Sequence, residues 1–202
     1  MYGHGDIFLE ILKKIQPKIF LEIGVYTGVN AKNICEYLFY LHNNNFRYYG
    51  LDLFEDYSEI NEDEIAPYSI RKHKQKFSNP LKHLYYNIFK KEQLNSVDSV
   101  QNFLKKFKNN VKLIKGDTKK TLKNIDASIF DMVYIDGGHS YETVYFELEY
   151  LLNNTKKNCY ILCDDYIHGE AIGVKKAIDQ IIKDKKLEIK IHANRFASIL
   201  RS

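Results

Sequence analysis

Five short apolar runs in this chain carry acidic residues at or near their ends. They read LEIG at 21–24, GLD at 50–52, KGD at 115–117, YIDGGH at 134–139 and LCDDY at 162–166. In an open α/β sheet, ligands bind beyond the carboxyl ends of the strands, where helix N-termini and turns leave a polar crevice. Carboxylates gathered there repel one another unless a cation, a cationic ligand or hydroxyl donors sit among them, so the pattern calls for a ligand. Asp136 and His139 are separated by two glycines, which give the turn freedom to bring both side chains to one point. Ser140 is suited to cap a helix starting at Tyr141, which would set His139 at the positive end of that helix and favour the neutral imidazole a general base needs. Consecutive residues of a strand point to opposite faces, so Asp164 and Asp165 can serve one ligand only if the strand ends before them.

Glu22-Ile23-Gly24-Val25-Tyr26-Thr27-Gly28 is a glycine-rich turn of the form ExGxxxG, which lets backbone approach a bound group closely. It is not the GxGxxG of dinucleotide-binding proteins, and an acidic residue at its entrance suits a cationic ligand better than a pyrophosphate. Asp52 lies about two dozen residues beyond Gly28, where a nucleoside-binding fold places a carboxylate against ribose hydroxyls. Plainer readings stand beside these. Gly24 and Gly28 could merely make the turn, Asp52 could be a polar strand end, one of Asp164 and Asp165 could be structural, and His139 could be a hydrogen-bonded turn residue.

The elements that must position these groups alternate. Apolar runs at 18–24, 46–54, 111–117, 130–138 and 158–166 read as strands, and the spacing of apolar residues predicts helices over 29–41, 97–107, 118–125, 141–152 and 172–182. Near-continuous apolar strands alternating with helices predict a mostly parallel sheet covered on both faces. The runs at 187–193 and 195–201 follow one another almost without connection, so that pair should be antiparallel. The segment 55–95 is polar, of mixed charge and too long for a plain connection, and it reads as a partly helical insertion or lid within a single domain spanning 1–202.

Composition narrows the partners. At 202 residues with 45% hydrophobic content the chain can bury a core unaided, and its three cysteines form no CxxC framework. The formal charge of +4 includes only four arginines, Arg47, Arg71, Arg195 and Arg201, which is poor support for nucleic-acid binding. No apolar run is long enough to cross a bilayer and no secretory pattern opens the chain, so a cytoplasmic protein without a membrane partner is expected; assembly as a homo-oligomer stays open. No GxSxG elbow or P-loop is present.

FLEIGVYTG, YYGLDLF, IKGDT, FDMVYIDGGHSYE and ILCDDY, in that order, resemble the class I S-adenosylmethionine-dependent methyltransferases. Within them the chain is similar to the small metal-dependent O-methyltransferases of the macrocin O-methyltransferase type. The likeness spans roughly 19–182 apart from 55–108. It implies a Rossmann-like α/β fold with a seven-stranded, mostly parallel sheet, an antiparallel last strand and helices on both faces. It also implies that Glu22, Gly24, Tyr26, Thr27 and Gly28 line the methionine portion of the cofactor, that Asp52 holds the ribose, and that Asp117 and Thr118 lie against the adenine. Asp136, Asp164 and Asp165 match metal-ligand positions for a divalent ion such as Mg²⁺, His139 matches the general base, and Asp136 would be shared between metal, cofactor and reaction. The implied activity is methylation of a hydroxyl on a small molecule, first a sugar or natural-product intermediate and next a catechol-like diol. The rivals are a dinucleotide-dependent oxidoreductase or epimerase and a cofactor-binding protein without catalysis.

Overall fold

The computed structural model describes residues 4–54, 79–84, 94–167 and 171–200. Within them seven strands form one sheet: β1 (Ile19–Ile23), β2 (Arg47–Asp52), β3 (Val111–Lys115), β4 (Met132–Ile135), β5 (Tyr160–Cys163), β6 (Lys190–His192) and β7 (Phe196–Leu200). Their order is β3-β2-β1-β4-β5-β7-β6, with β1 to β5 parallel and β7 antiparallel to both β5 and β6. The chain order reverses between β1 and β4, which is where such a sheet opens a crevice.

Alternation along the strands sorts side chains into two layers. Phe20, Tyr48, Met132, Tyr134, Leu162 and Phe196 pack with buried residues of α1 (His4–Ile15), α2 (Val29–His42) and α4 (Val97–Phe103). Leu21, Ile23, Leu51, Val133, Ile135, Ile161 and Ile199 pack on the other face with α6 (Tyr141–Asn154) and α7 (Ile172–Lys185). Two shorter helices, α3 (Pro80–Leu84) and α5 (Thr118–Thr121), complete the set. The three cysteines are buried and form no disulfide, and burial pushes the thiols of Cys35 and Cys163 up, so they act as small core residues.

Some details depart from expectation. Helix α1 was not foreseen; Phe8, Ile11 and Leu12 give it one apolar stripe, which it lays on the sheet beside Tyr134. The helix expected over 97–107 tightens into a 3₁₀ turn at Lys105–Phe107, which seats Phe107 against Phe39 and Phe46. The expected helix over 118–125 likewise ends as a 3₁₀ turn at Leu122–Asn124. Most of the expected insertion lies outside the described residues. At its base, the Asn95 side-chain amide donates to the Phe54 carbonyl at 3.0 Å and ties the two ends together. Among the described residues no helix is long and apolar enough to cross a membrane.

The amino-terminal ends of β1 and β4 are held together by a carboxylate. Asp131 Oδ2 accepts from the amides of Lys18 and Ile19, each at 2.8 Å, and its other oxygen pairs with Lys156. Burial alone would raise this carboxyl, but Lys156 and the two amides outweigh it and hold it below its ordinary value. The stability it contributes is therefore present above the ordinary carboxylate pKa and lost as pH falls through the lowered one. Asp131→Ala is expected to cost about 1–3 kcal/mol in denaturant unfolding near neutrality, with ligand binding at the distant rim unaffected. A variant as stable as the wild type would contradict this role.

Candidate active site

Strand parity puts Glu22, Tyr134, Asp136 and Asp164 in the layer facing α1 and α2, because they alternate in step with Phe20, Met132 and Leu162. Glu22 is fully buried and touches no open space. Its oxygens accept from the Asn30 amide at 2.7 Å and from the Tyr48 hydroxyl. Burial, only partly opposed by those two donors, raises its pKa to about 7. The residue expected to line a ligand is thus a pillar beneath the site, and Asn30, which it orients, borders the cavity.

The glycine turn after β1 is shaped by close approach. A Cβ on Gly24, whose φ is +93°, would stand 2.0 Å from the Asp136 carbonyl oxygen, so only glycine allows the β1 and β4 loops to meet. Asp52 organises the same turn: Oδ2 accepts from the amides of Val25 at 2.7 Å and Tyr26 at 2.8 Å, and Oδ1 from Phe54 at 2.5 Å. Tyr26 has a positive φ of 51° and is half exposed. Gly28, at φ +79°, caps α2. Asp117 caps α5 by accepting from the Lys119 amide at 2.9 Å. Thr118, expected against a base, is buried and donates to Glu147 Oε1 at 2.7 Å.

The acidic end of β5 divides. The strand ends at Cys163, and Asp165 adopts a φ of 55°, so both carboxylates stand outside regular strand geometry as required. Asp164, 4% exposed, is forked by Arg195: Nε donates to Oδ1, and the second guanidinium nitrogen donates to Oδ2 at 2.8 Å. Tyr134 donates its hydroxyl to the same Oδ2 at 2.5 Å, and the Asp165 amide donates to Oδ1 at 2.7 Å. Asp165 instead meets His139 Nε2 at 3.2 Å and lies 3.4 Å from Arg195. Asp136, beside Tyr134 at 3.3 Å, has its pKa pushed well above the carboxylate range by burial first and then by Asp164, Glu22 and Asp165, with Arg195 pulling the other way.

Ser140 caps α6 as the sequence suggested, accepting from the Thr143 amide at 3.2 Å. His139 sits just before it, clamped by α7: a Cβ on Gly173 would fall 2.3 Å from the His139 carbonyl oxygen. A cavity of about 750 Å³ opens between α1, α2 and the rim, lined by Asp6, Asn30, Asn33 and Tyr37 at its mouth and by Tyr134, Asp136, Asp164 and Arg195 at its floor. His139 and Asp165 line a much smaller void behind that floor, on the α6 and α7 side. Asp136 therefore faces the large cavity, and His139, the residue expected as base, does not border it.

The three aspartates expected to ligate a metal do come to one rim, but they do not fit an ion as arranged. A hard divalent cation needs carboxylate oxygens turned to one point with lone pairs to spare. A carboxylate has about four lone-pair sites, and those of Asp164 meet four donors, two from Arg195 and one each from Tyr134 and the Asp165 amide. Among the described residues no group of three His, Cys, Asp or Glu side chains could hold a metal ion. Sequence reasoning missed Arg195, Tyr134, Asn30 and Gly173. Tyr134 alone was legible, since it sits two residues before Asp136 and must share its face.

Residues 21–166 match the family model described as a methyltransferase domain. No curated protein matches the chain in sequence. Among solved structures, the Podospora anserina methyltransferase PaMTH1, SAH-bound, is similar at a TM-score of 0.64 and 16% identity, covering 100% of this chain and 80% of that one. An O-methyltransferase from Bacillus cereus in complex with SAH gives 0.60 and 12%, covering 99% and 82%. The O-methyltransferase TomG from Streptomyces achromogenes, in complex with SAM, gives 0.61 and 11%, covering 100% and 82%.

Glu22 offers a test of the site's electrostatics without any ligand. Its pKa is raised from 4.5 to about 7, so the protonated form is the one the fold favours. Its contribution is intact below about pH 4.5 and is lost as pH rises through 7, a loss on the order of 3 kcal/mol. Glu22→Gln, which cannot ionise, is expected to gain stability over the wild type by roughly that amount between pH 5 and pH 8 in chemical denaturation. Parallel stability curves for the two proteins would refute the assignment.

Proposed function

This chain belongs to the methyltransferase-domain family, and on that premise we propose that it transfers a methyl group from S-adenosylmethionine to a hydroxyl oxygen of a small molecule. The observation that carries the reading is the 750 Å³ cavity floored by Asp136, Tyr134, Asp164 and Arg195, next to the turn that Gly24 brings against Asp136. A rim rich in carboxyl groups that can accept from an ammonium suits S-adenosylmethionine better than a pyrophosphate, which speaks against the dinucleotide rival. When bound, S-adenosylmethionine supplies an electrophilic methyl: a carbon–oxygen bond forms from the acceptor's lone pair, and the carbon–sulfur electrons stay on sulfur.

The chain's own residues have three tasks in this reading. The glycine turn, and Asp52 that shapes it through three amide bonds, bind the nucleoside end. The cavity aligns the acceptor, which for a strong methyl donor supplies much of the rate. Asp136 accepts the hydroxyl proton: it faces the cavity, and its raised proton affinity matches it to that role. His139 and Asp165, hydrogen-bonded behind the floor, fix the β4 loop that carries Asp136.

For the acceptor, Asn30, Asn33, Asp6 and Tyr37 line the mouth with amide, carboxylate and aromatic groups that suit a polyhydroxylated compound, so a sugar is the first choice. A catechol-like diol would draw its advantage from chelating a metal ion, and the carboxylates as arranged leave that reading without support.

Calorimetry is expected to show binding of S-adenosylmethionine and none of NAD, and methyl uptake from labelled cofactor should appear with one of a panel of sugar nucleotides and diols. Asp136→Asn is expected to lower turnover by about 10²–10⁴-fold while cofactor affinity changes far less. Binding of NAD in place of S-adenosylmethionine, or full turnover by the variant, would overturn the reading.

A further inference from the structure

The rim contains a cation of its own. Arg195 enters from the far end of the chain, 31 positions after Asp164, on the hairpin joining β6 to β7. Ala193 and Asn194 both have positive φ, 53° and 52°, which is the two-residue turn that matches the twist of a hairpin. The turn closes with the Arg195 amide donating to the His192 carbonyl at 3.0 Å, and the Arg195 carbonyl accepts from the Tyr166 amide at 2.8 Å. The backbone of Arg195 is thereby fixed to the loop that follows β5. From there its guanidinium lies flat against Asp164 in a two-point fork and reaches Asp165 at 3.4 Å.

We propose that Arg195 takes the place of a divalent metal ion in this active site, so that the chain performs its methyl transfer without one. The inference rests on reading the rim as a methyl-transfer site. Two of the guanidinium's five N–H donors hydrogen-bond Asp164, and the group also lies 3.4 Å from Asp165. The side chain is about one-third exposed and borders the cavity that Asp136 also lines, and in this proposal its remaining N–H groups serve the acceptor oxygen there. A hydrogen bond from one of them orients the oxygen and stabilises the negative charge that grows on it as its proton passes to Asp136. A metal ion would do the same two things.

The two cations exclude one another. A metal at the buried Asp164 carboxylate must break a two-point ion pair and leave the guanidinium beside a doubly charged ion, and both changes are costly. Lysine would not reproduce the arrangement, because a compact ammonium lacks the planar fork that grips two oxygens while presenting another edge.

The test needs no knowledge of the acceptor. Mn²⁺ binding is measured by electron paramagnetic resonance in the presence of S-adenosylhomocysteine, for the wild type, Arg195→Met and the double variant Arg195→Met/Asp164→Asn. Calorimetry with S-adenosylhomocysteine on the same samples reports separately on the cofactor site. The wild type is expected to bind Mn²⁺ weakly or not at all, Arg195→Met to bind it at least about tenfold more tightly because Asp164 has lost its counter-charge, and the double variant to lose that gain. Tight Mn²⁺ binding by the wild type, lost in an Asp164→Asn single variant measured alongside, would overturn the proposal, and this comparison holds even if Arg195→Met does not fold. Absence of any S-adenosylhomocysteine binding would instead refute the methyltransferase reading on which it rests.

Discussion

The constraint that organises this protein is charge crowding at one edge of one sheet. Glu22, Asp136 and Asp164 end or nearly end the neighbouring strands β1, β4 and β5 and point to the same face, with Asp165 one residue further on. Buried carboxylates at such separations raise one another's pKa, and a fold that gathers them must neutralise them or supply donors. This chain uses both means. Glu22 is left close to protonation at neutral pH and is hydrogen-bonded by Asn30 and Tyr48. Asp164 is neutralised outright by Arg195 and saturated with donors. Asp136 is the group left with a raised proton affinity and open space in front of it.

That division gives each acid a different task. Glu22 and Asp52 sit beneath or behind the glycine turn and hold its shape, one through Asn30 and the other through the amides of Val25 and Tyr26. Asp164 anchors the hairpin to the sheet. Asp165 turns toward His139 on the opposite side of the floor. A cluster that looks in sequence like a ligand set for one ion is, in three dimensions, linked by hydrogen bonds and ion pairs to Tyr134, His139 and Arg195.

Much of this was legible in the sequence. Alternating apolar runs and helices gave the mostly parallel sheet, the short link between the last two runs required an antiparallel pair, and the Ser140 cap followed from its place before an apolar-periodic stretch. The DD pair could serve one ligand only from beyond its strand, and both residues do lie past Cys163, where they turn to different partners. What sequence order hides is contact between distant segments. Arg195 counted only as one of four arginines, yet its hairpin turn and its position opening the last strand carry it to Asp164. Glu22 had the right strand position for a ligand contact, but its depth depends on how α1 and α2 cover it, and α1 was itself unforeseen. Thr118 followed a strand end like the other candidates, and its hydroxyl turned inward because Glu147 of α6 lies opposite.

The most direct trial of this account is a crystal structure of the protein grown with S-adenosylhomocysteine and magnesium. The account predicts Arg195 still forked on Asp164, Asp136 turned to the cavity, and no ion among the three aspartates. Density for a six-coordinate ion bridging Asp136, Asp164 and Asp165, with the arginine swung away, would contradict it.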